Sequence, residues 1–236
     1  MAVISGVLTP AEWAVVGLSL KVSLVAVSVT LPIAYALAWL IARRRFPGRM
    51  LLDAAIHLPL VLPPVVTGWL LLIVLGRNGP VGAWLEATFG VTLVFRWTGA
   101  AVAAAVMALP LMVRAMRLSI EAVDRRLVGA ARTLGASPWR AFLTITLPLS
   151  VPGIAAGAML GFARSLGEFG ATITFAANIE GQTRTLPLAI YTGLQLPGAE
   201  AAVTRLAIIS IVLSLGALIV SEWLVRRSAG SRAHVL

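Results

Sequence analysis

The sequence lacks the residues on which several kinds of protein chemistry depend. Its 236 residues contain no cysteine and only two histidines, His57 and His234. Disulfides and cysteine-based zinc sites are thereby excluded, and a metal site or catalytic triad built on histidine is disfavoured. No glycine-rich phosphate loop followed by lysine is present, so ATP hydrolysis of the Walker type is not expected. We therefore expect no catalytic residue and no metal or cofactor bound by this chain.

Charged residues are also scarce. They make up 12% of the chain against 59% hydrophobic residues, with a mean hydropathy of +0.96, whereas soluble domains carry roughly 25% charged residues. A soluble enzyme, a nucleic-acid-binding module and a disordered protein are all poor interpretations of such a composition. The formal charge of +10 does not indicate nucleic acid, because the arginines adjoin apolar runs. The composition predicts an integral membrane protein.

Apolar stretches predict an all-α protein with about five transmembrane helices, since roughly 20 residues cross the hydrocarbon core. Thr9 is suited to cap the first helix and Pro10 to occupy its first turn. No basic region precedes this helix, so we expect a retained span and not a cleaved signal peptide. The predicted spans lie near residues 15–42, 51–75, 98–119, 149–174 and 203–225.

Arginine is distributed unequally between the two sets of loops. Thirteen arginines lie on one side and four on the other, while Lys21 and Arg164 fall within spans. Because cytoplasmic loops carry the excess of Lys and Arg, we expect the amino terminus outside and the carboxyl terminus in the cytoplasm. The larger group comprises Arg43, Arg44, Arg45, Arg49, Arg114, Arg117, Arg125, Arg126, Arg132, Arg140, Arg226, Arg227 and Arg232; the smaller comprises Arg77, Arg96, Arg184 and Arg205.

The segment between the third and fourth spans, residues 121–148, has the signals of two short helices that meet at a bend. Gly135 is suited to end one helix in the left-handed conformation, and Ser137 followed by Pro138 to begin the next. Trp139 and Phe142 offer apolar anchors to another surface. From the residues alone, an amphipathic linker lying in the membrane interface explains this bent segment equally well.

The spacing within the bent segment resembles the EAA loop of ABC importer permeases. Ala130-Ala131, three residues, Gly135, nine residues and then Ile145-Thr146-Leu147-Pro148 match the pattern EAA, three residues, G, nine residues, I-x-L-P, although Gly129 stands at the position of the glutamate. The resemblance implies that this segment docks into a cleft on a separate ATPase subunit. The coupling residues it implies are Ala130, Ala131, Leu134, Gly135, Ala136, Ser137, Pro138, Trp139, Ile145, Leu147 and Pro148.

Three further segments, 57–66, 163–175 and 183–187, look like the molybdate branch of that family, and sulfate permeases are similar there. The resemblance implies a single permease domain over residues 1–236 in the bacterial cytoplasmic (inner) membrane. Its implied partners are a second copy of the chain, a cytoplasmic ATPase that holds ATP and magnesium, an external oxyanion-binding protein and membrane lipid, with no nucleic acid. The alternatives are a tungstate or a sulfate/thiosulfate permease, and a stand-alone anion carrier or channel.

The fourth span carries charges that are costly at membrane depth. Arg164 lies near its midpoint and Glu168 follows one helical turn later, so both should face protein or water. They form either a structural pair or part of an anion pathway, with Thr172 and Thr174 as possible hydroxyl donors. Pro63 and Pro64 interrupt the second span and indicate either a passive kink or a bend beside an aqueous cavity.

The arginine asymmetry makes a testable prediction about topology. A reporter fused after residue 90 or 195 should be external, and one fused after residue 126 or 230 should be cytoplasmic, because the arginine-rich loops stay inside. Alkaline phosphatase activity measures external placement and green fluorescence measures cytoplasmic placement. An external position for residue 126 would contradict both the orientation and the docking of the bent segment on a cytoplasmic ATPase.

Overall fold

A computed structural model describes residues 8–230, and for residues 221, 222 and 224–230 it describes only the backbone. Arg232 and His234 lie outside the described residues. The regular structure within the described part is helical, which confirms the predicted all-α class. The helices are α1 (Pro10–Arg43), α2 (Arg49–Val61), α3 (Pro64–Leu75), α4 (Pro80–Phe89), α5 (Trp97–Glu121), α6 (Arg125–Thr133), α7 (Pro138–Ala141), a π-helical turn (Phe142–Thr146), α8 (Leu147–Leu166), α9 (Gly170–Phe175), α10 (Leu186–Gly193) and α11 (Glu200–Gly230).

The first helix begins where the sequence predicts. The Thr9 hydroxyl accepts the backbone N–H of Glu12, whose carboxylate in turn accepts the N–H of Thr9 at 2.7 Å, and Pro10 occupies the first turn. With 34 residues and a rise of about 1.5 Å per residue, α1 is about 51 Å long and exceeds the roughly 30 Å of hydrocarbon. An ion pair between Glu12 and Arg205, 2.7 Å long, places the start of α11 beside the start of α1.

Helices α1 and α5 run in the same direction. The guanidinium of Arg43 donates to the carbonyl of Ile120 over 2.8 Å, and Val22 packs in one cluster with Ala100. Each helix therefore begins at one end of the bundle and finishes at the other. We name the end that holds Arg43 the arginine-rich end, and the end that holds Thr9 the opposite end.

The second predicted span, 51–75, is not one continuous helix. It divides into α2 and α3, whose axes differ by 119°, because Leu62 and Pro63 are extended, with ψ of 144° and 134°. Pro63 and Pro64 each lack an N–H, and a proline disfavours helical geometry in the residue before it. We name this interruption, Leu62–Pro63, the proline break.

The bent pair nevertheless amounts to one crossing of the bundle. Asp53 of α2 lies 3.1 Å from Arg117 near the arginine-rich end, whereas the first residue of α5 lies at the opposite end. Because α1 and α5 are parallel, the chain between them must return from one end to the other. With four long apolar helices, the pair makes five candidate spans, in agreement with the number that the sequence predicts.

The fourth predicted span, 149–174, is displaced and divided. Its helix begins at Pro138, passes through the π-helical turn and ends at Leu166; Gly167–Phe169 then interrupts it before α9. Pro148 has no N–H to give to the carbonyl of Thr144, four residues earlier, which accounts for the wider turn at this point. We name the interruption at Gly167–Phe169 the glycine break.

Helix α8 packs closely and antiparallel against α5 through a row of glycines. A β-carbon added at any of them would contact the facing helix at 3.0 Å or less. One turn beyond the last glycine, Arg164 is level with the middle of α5, so the glycine break lies deep within the bundle. The facing pairs are Gly153 with Ser119, Gly157 with Met116, and Gly161 with Met112.

Gly153→Leu should destabilise the bundle by about 1–3 kcal/mol, because the new side chain overlaps Ser119 and the carbonyl of Ala115. Thermal unfolding in mild detergent measures the loss. Gly216→Leu is the matched control, since Gly216 lies in α11 with no atom within 4 Å of an added β-carbon. Equal melting temperatures for the two variants would contradict the close approach of α5 and α8.

Candidate functional site

The proline break and the glycine break lie side by side. A β-carbon added at Gly170 would fall 2.7 Å from the β-carbon of Pro64, and one added at Gly68 would fall 2.7 Å from the carbonyl oxygen of Ala171. Helices α3 and α9 are therefore in near-backbone contact from their first residues. Discontinuous helices that meet deep in a membrane protein are typical of substrate pathways in transporters.

Arg164 and Glu168 form an ion pair across the glycine break. Nη1 of Arg164 lies 2.5 Å from Oε2 of Glu168, and the two side chains are 25% and 2% exposed. The other oxygen of Glu168 accepts the N–H of Ala171 at 2.9 Å. The sequence interpretation placed both residues on one continuous helix, whereas the carboxylate in fact joins the end of α8 to the start of α9. This geometry gives the pair a structural role in both helices.

Both threonines that the sequence interpretation considered as hydroxyl donors lie in α9. Thr172 is 1% exposed, and the hydroxyl of Thr174 donates to the carbonyl of Gly170 at 2.9 Å within α9. In this conformation, therefore, Thr172 is buried and the hydroxyl proton of Thr174 is already engaged. Pro63 and Pro64 are exposed on the surface of the single chain, so the proline break is accessible beside the buried ion pair.

The bent segment has the predicted turn chemistry. Gly135 adopts φ +87°, a left-handed geometry that favours glycine, and the Ser137 hydroxyl accepts the N–H of Arg140 at 3.2 Å. The first predicted helix is α6. The second is not short, because α7 continues through the π-helical turn into α8. Ile145 and Leu147 therefore lie inside a long helix and not in a free loop.

Helix α6 has two different faces. Arg125, Val128 and Arg132 line a cavity beside the end of α1. Leu127 and Leu134, which are 49% and 89% exposed, lie on the other side of the helix. Trp139, 67% exposed and stacked on Phe142 at 5.3 Å, is a further exposed apolar side chain of the bent segment. Exposed apolar side chains at the tip of a segment are suited to docking on another protein.

Arg43 makes several structural contacts that the sequence did not reveal, since its place in a basic loop indicated only topology. Its guanidinium donates to the carbonyls of Ile120 and Val123 at 2.8 and 3.1 Å. It thereby fastens the end of α1 to the start of the bent segment. Tyr35 and Ser150 add a hydrogen bond of 2.8 Å between α1 and α8. A single arginine among four in one loop gave no signal of this role.

The segment 183–187 also proves to be structural. The hydroxyl of Thr183 accepts the N–H of Ile179 and donates to the carbonyl of Ala177, which adopts a strained φ of +61°. The hydroxyl of Ser19 then accepts the N–H of Leu186 at 2.7 Å. These bonds hold the loop before α10 against α1 at the opposite end.

Comparison with known proteins identifies the class. The family model for the inner membrane component of binding-protein-dependent transport systems matches residues 31–230. The chain belongs to this family and is a multi-pass inner-membrane protein. An alginate ABC transporter of solved structure has the same fold, with a TM-score of 0.72, 20% identity, and 93% of this chain and 80% of that chain covered.

Within the family, the chain is most informatively compared with molybdenum transport permeases. It is 59% identical to the molybdenum transport system permease protein of Escherichia coli K12 over 94% of this chain and 97% of that protein. The Haemophilus influenzae protein of the same name is 56% identical over 92% and 94%. The sulfate transport system permease protein of Escherichia coli is more distant, 41% identical over 75% of this chain and 65% of that protein.

Removing one member of the ion pair should destabilise the protein more than removing both members does. Arg164→Gln leaves a carboxylate that is 2% exposed without its cation, and we expect a loss of about 3–5 kcal/mol. Arg164→Gln with Glu168→Gln should recover most of it, because the glutamine oxygen still accepts the N–H of Ala171. Thermal unfolding in mild detergent compares the two. A double variant that is less stable than the single one would contradict a paired role.

Proposed function

We propose that this chain is the permease subunit of an ATP-driven importer and that its cargo is molybdate. The observation that carries the cargo is the 59% identity to a molybdenum transport permease over nearly the whole of both chains. The sulfate permease matches less of the chain at lower identity, which makes sulfate the weaker alternative. Tungstate has the same shape and charge as molybdate, so it is a second alternative cargo.

In the proposed transport, this chain opens and closes the pathway for the cargo and performs no covalent chemistry. Its sequence has no Walker-type loop, so ATP and magnesium would be held by a separate cytoplasmic ATPase. A second copy of the chain would complete the pathway, because a single chain leaves the proline break on its surface. An external oxyanion-binding protein would deliver the cargo, as the family description of a binding-protein-dependent system suggests. The amino terminus would lie outside and the arginine-rich end in the cytoplasm.

The pathway is proposed to pass the two adjacent breaks. An oxyanion dianion needs positive potential there but no tight site, since tight binding would slow its release. Arg164, largely neutralised by Glu168 at 2.5 Å, offers such weak attraction, and two copies would offer it twice. Selectivity among molybdate, tungstate and sulfate would then reside mainly in the external binding protein.

Coupling to the ATPase is proposed to run through the bent segment. Gly135→Val should lower ATP-dependent uptake on the order of tenfold, because a β-branched residue strains the left-handed geometry at φ +87°. Gly198→Val is the matched control, because Gly198 has a similar left-handed φ of +84° and open space around an added β-carbon but lies outside the bent segment. Normal uptake by a Gly135→Val variant that still assembles with the ATPase would contradict this role.

Proteoliposomes that contain the chain, its ATPase and its external binding protein test the function directly. We expect labelled molybdate to accumulate only with ATP, and excess sulfate to compete weakly. Uptake without the ATPase would show a stand-alone carrier instead, and uptake of sulfate in preference to molybdate would establish the alternative cargo. The Arg164→Gln, Glu168→Gln double variant separates the roles of the pair: full molybdate uptake would make it purely structural.

A further inference from the structure

Six arginines from two distant segments converge at the arginine-rich end. One group runs from the end of α1 to the start of α2, and the other lies on α6, about 80 residues later in the chain. Together they line two adjoining cavities of about 440 and 450 Å³. We name this site the arginine cavity; its basic residues are Arg43, Arg44, Arg45, Arg49, Arg125 and Arg132.

The positive charge of the arginine cavity has almost no counter-charge within the chain. Glu121 is the one acidic residue among those that line it, and its carboxylate is engaged by Arg117 at 2.8 Å. Among the side chains that the structure describes, no carboxylate lies within 4.0 Å of the six guanidiniums. Like charges gathered in this way repel one another, so an anion from outside the chain would stabilise the arrangement.

The wall of the cavity that faces the spans is apolar and aromatic. Trp39, Pro138 and Phe142 line it, and the guanidinium of Arg44 lies 5.7 Å from the ring centroid of Trp39. The cavity lies at the end of α1, where its apolar run gives way to Arg43, Arg44 and Arg45. A ligand suited to it has an anionic phosphate beside the arginines and an apolar part along the aromatic side chains.

We propose that the arginine cavity binds the phosphate of an anionic phospholipid, with the acyl chains running toward Trp39 and Phe142. Basic pockets between spanning helices are suited to such head groups, and the guanidinium fork matches phosphate oxygens. The bound lipid would bridge the end of α1 and α6. It would therefore hold the bent segment in place through contacts that the chain alone does not supply.

Neither membrane topology nor the docking of a protein partner accounts for the arginine cavity as fully as a bound phospholipid does. The topology rule needs basic residues in a loop, but it does not need residues 43–49 and 125–132 to meet in one cavity. Docking of an acidic protein surface would use the outward side of α6, where Leu127 and Leu134 are exposed. The arginines instead line the side that faces α1, beside the spans.

Native mass spectrometry of the full chain in nanodiscs tests the proposal. Wild type should retain phosphatidylglycerol in preference to phosphatidylcholine. Arg44→Gln with Arg125→Gln should weaken the retention on the order of 30-fold. Arg77→Gln with Arg96→Gln removes the same charge at the opposite end and should leave retention unchanged.

Three outcomes would overturn the proposal. They are equal lipid retention by the two double variants, displacement of the lipid by millimolar inorganic phosphate, and, when the measurement is repeated on the complex with the ATPase subunit, loss of that subunit from the Arg44→Gln, Arg125→Gln variant with lipid retention unchanged. If the cavity variant does not fold, wild type still decides the question. Brominated phosphatidylglycerol should then quench Trp39 fluorescence, measured against a Trp39→Phe background, more than brominated phosphatidylcholine does, and equal quenching would also overturn it.

Discussion

The buried carboxylate of Glu168 is the group on which the centre of this fold depends. At 2% exposure and level with the middle of α5, its charge is tolerable only because Arg164 neutralises one oxygen and the N–H of Ala171 bonds to the other. Those two contacts fix the end of α8 relative to the start of α9. Because α9 lies against α3, they also fix the point at which the second crossing bends. One ion pair thus determines where two broken crossings meet.

The same requirement explains why the proline break is tolerated. Away from water, every backbone N–H and carbonyl needs a partner. Pro63 and Pro64 bring no N–H to the break, and the N–H groups of Val66 and Thr67 both turn back to the carbonyl of Pro63 at 2.9 and 3.2 Å. Gly68 and Gly170, without side chains, let the two broken crossings come together. The backbone N–H groups of Val66 and Thr67 are therefore paired locally, without help from another helix.

The sequence predicted those features that depend on local chemistry or on composition. The cap at Thr9, the left-handed Gly135, the start at Ser137 and the five crossings all follow from neighbouring residues or from the length of apolar runs. It did not predict the ends of the second and fourth spans. Pro63 and Pro64 indicated a kink but not its angle of 119°, and Arg164 and Glu168 indicated costly charges but not that the helix ends between them.

Contacts between distant residues were equally invisible to sequence reasoning. Lys21, a charge within the first span, had no assigned partner, yet its ammonium lies 3.8 Å from the ring centroid of Trp97. The meeting of Arg43 with Ile120 and of Tyr35 with Ser150 likewise requires the packed bundle. Patterns along the chain report the residue types at such sites, whereas only the tertiary structure reports which of them come together.

The proposed coupling site and the proposed pathway are the two ends of one helical run. From Pro138 to Leu166 the chain is helical without a gap, 29 residues or about 43 Å at the usual rise. A force on the bent segment therefore reaches Arg164 through hydrogen-bonded backbone and not through a loop. The π-helical turn departs from the regular hydrogen-bond pattern, and wider turns of this kind often occur at functional sites in helices. Beyond the turn the glycine row holds α8 against α5, so a displacement of α8 must be taken up at the glycine break. At the break the helix is interrupted, and the ion pair between Arg164 and Glu168 joins its two sides; this is the point after the run where the chain can change direction.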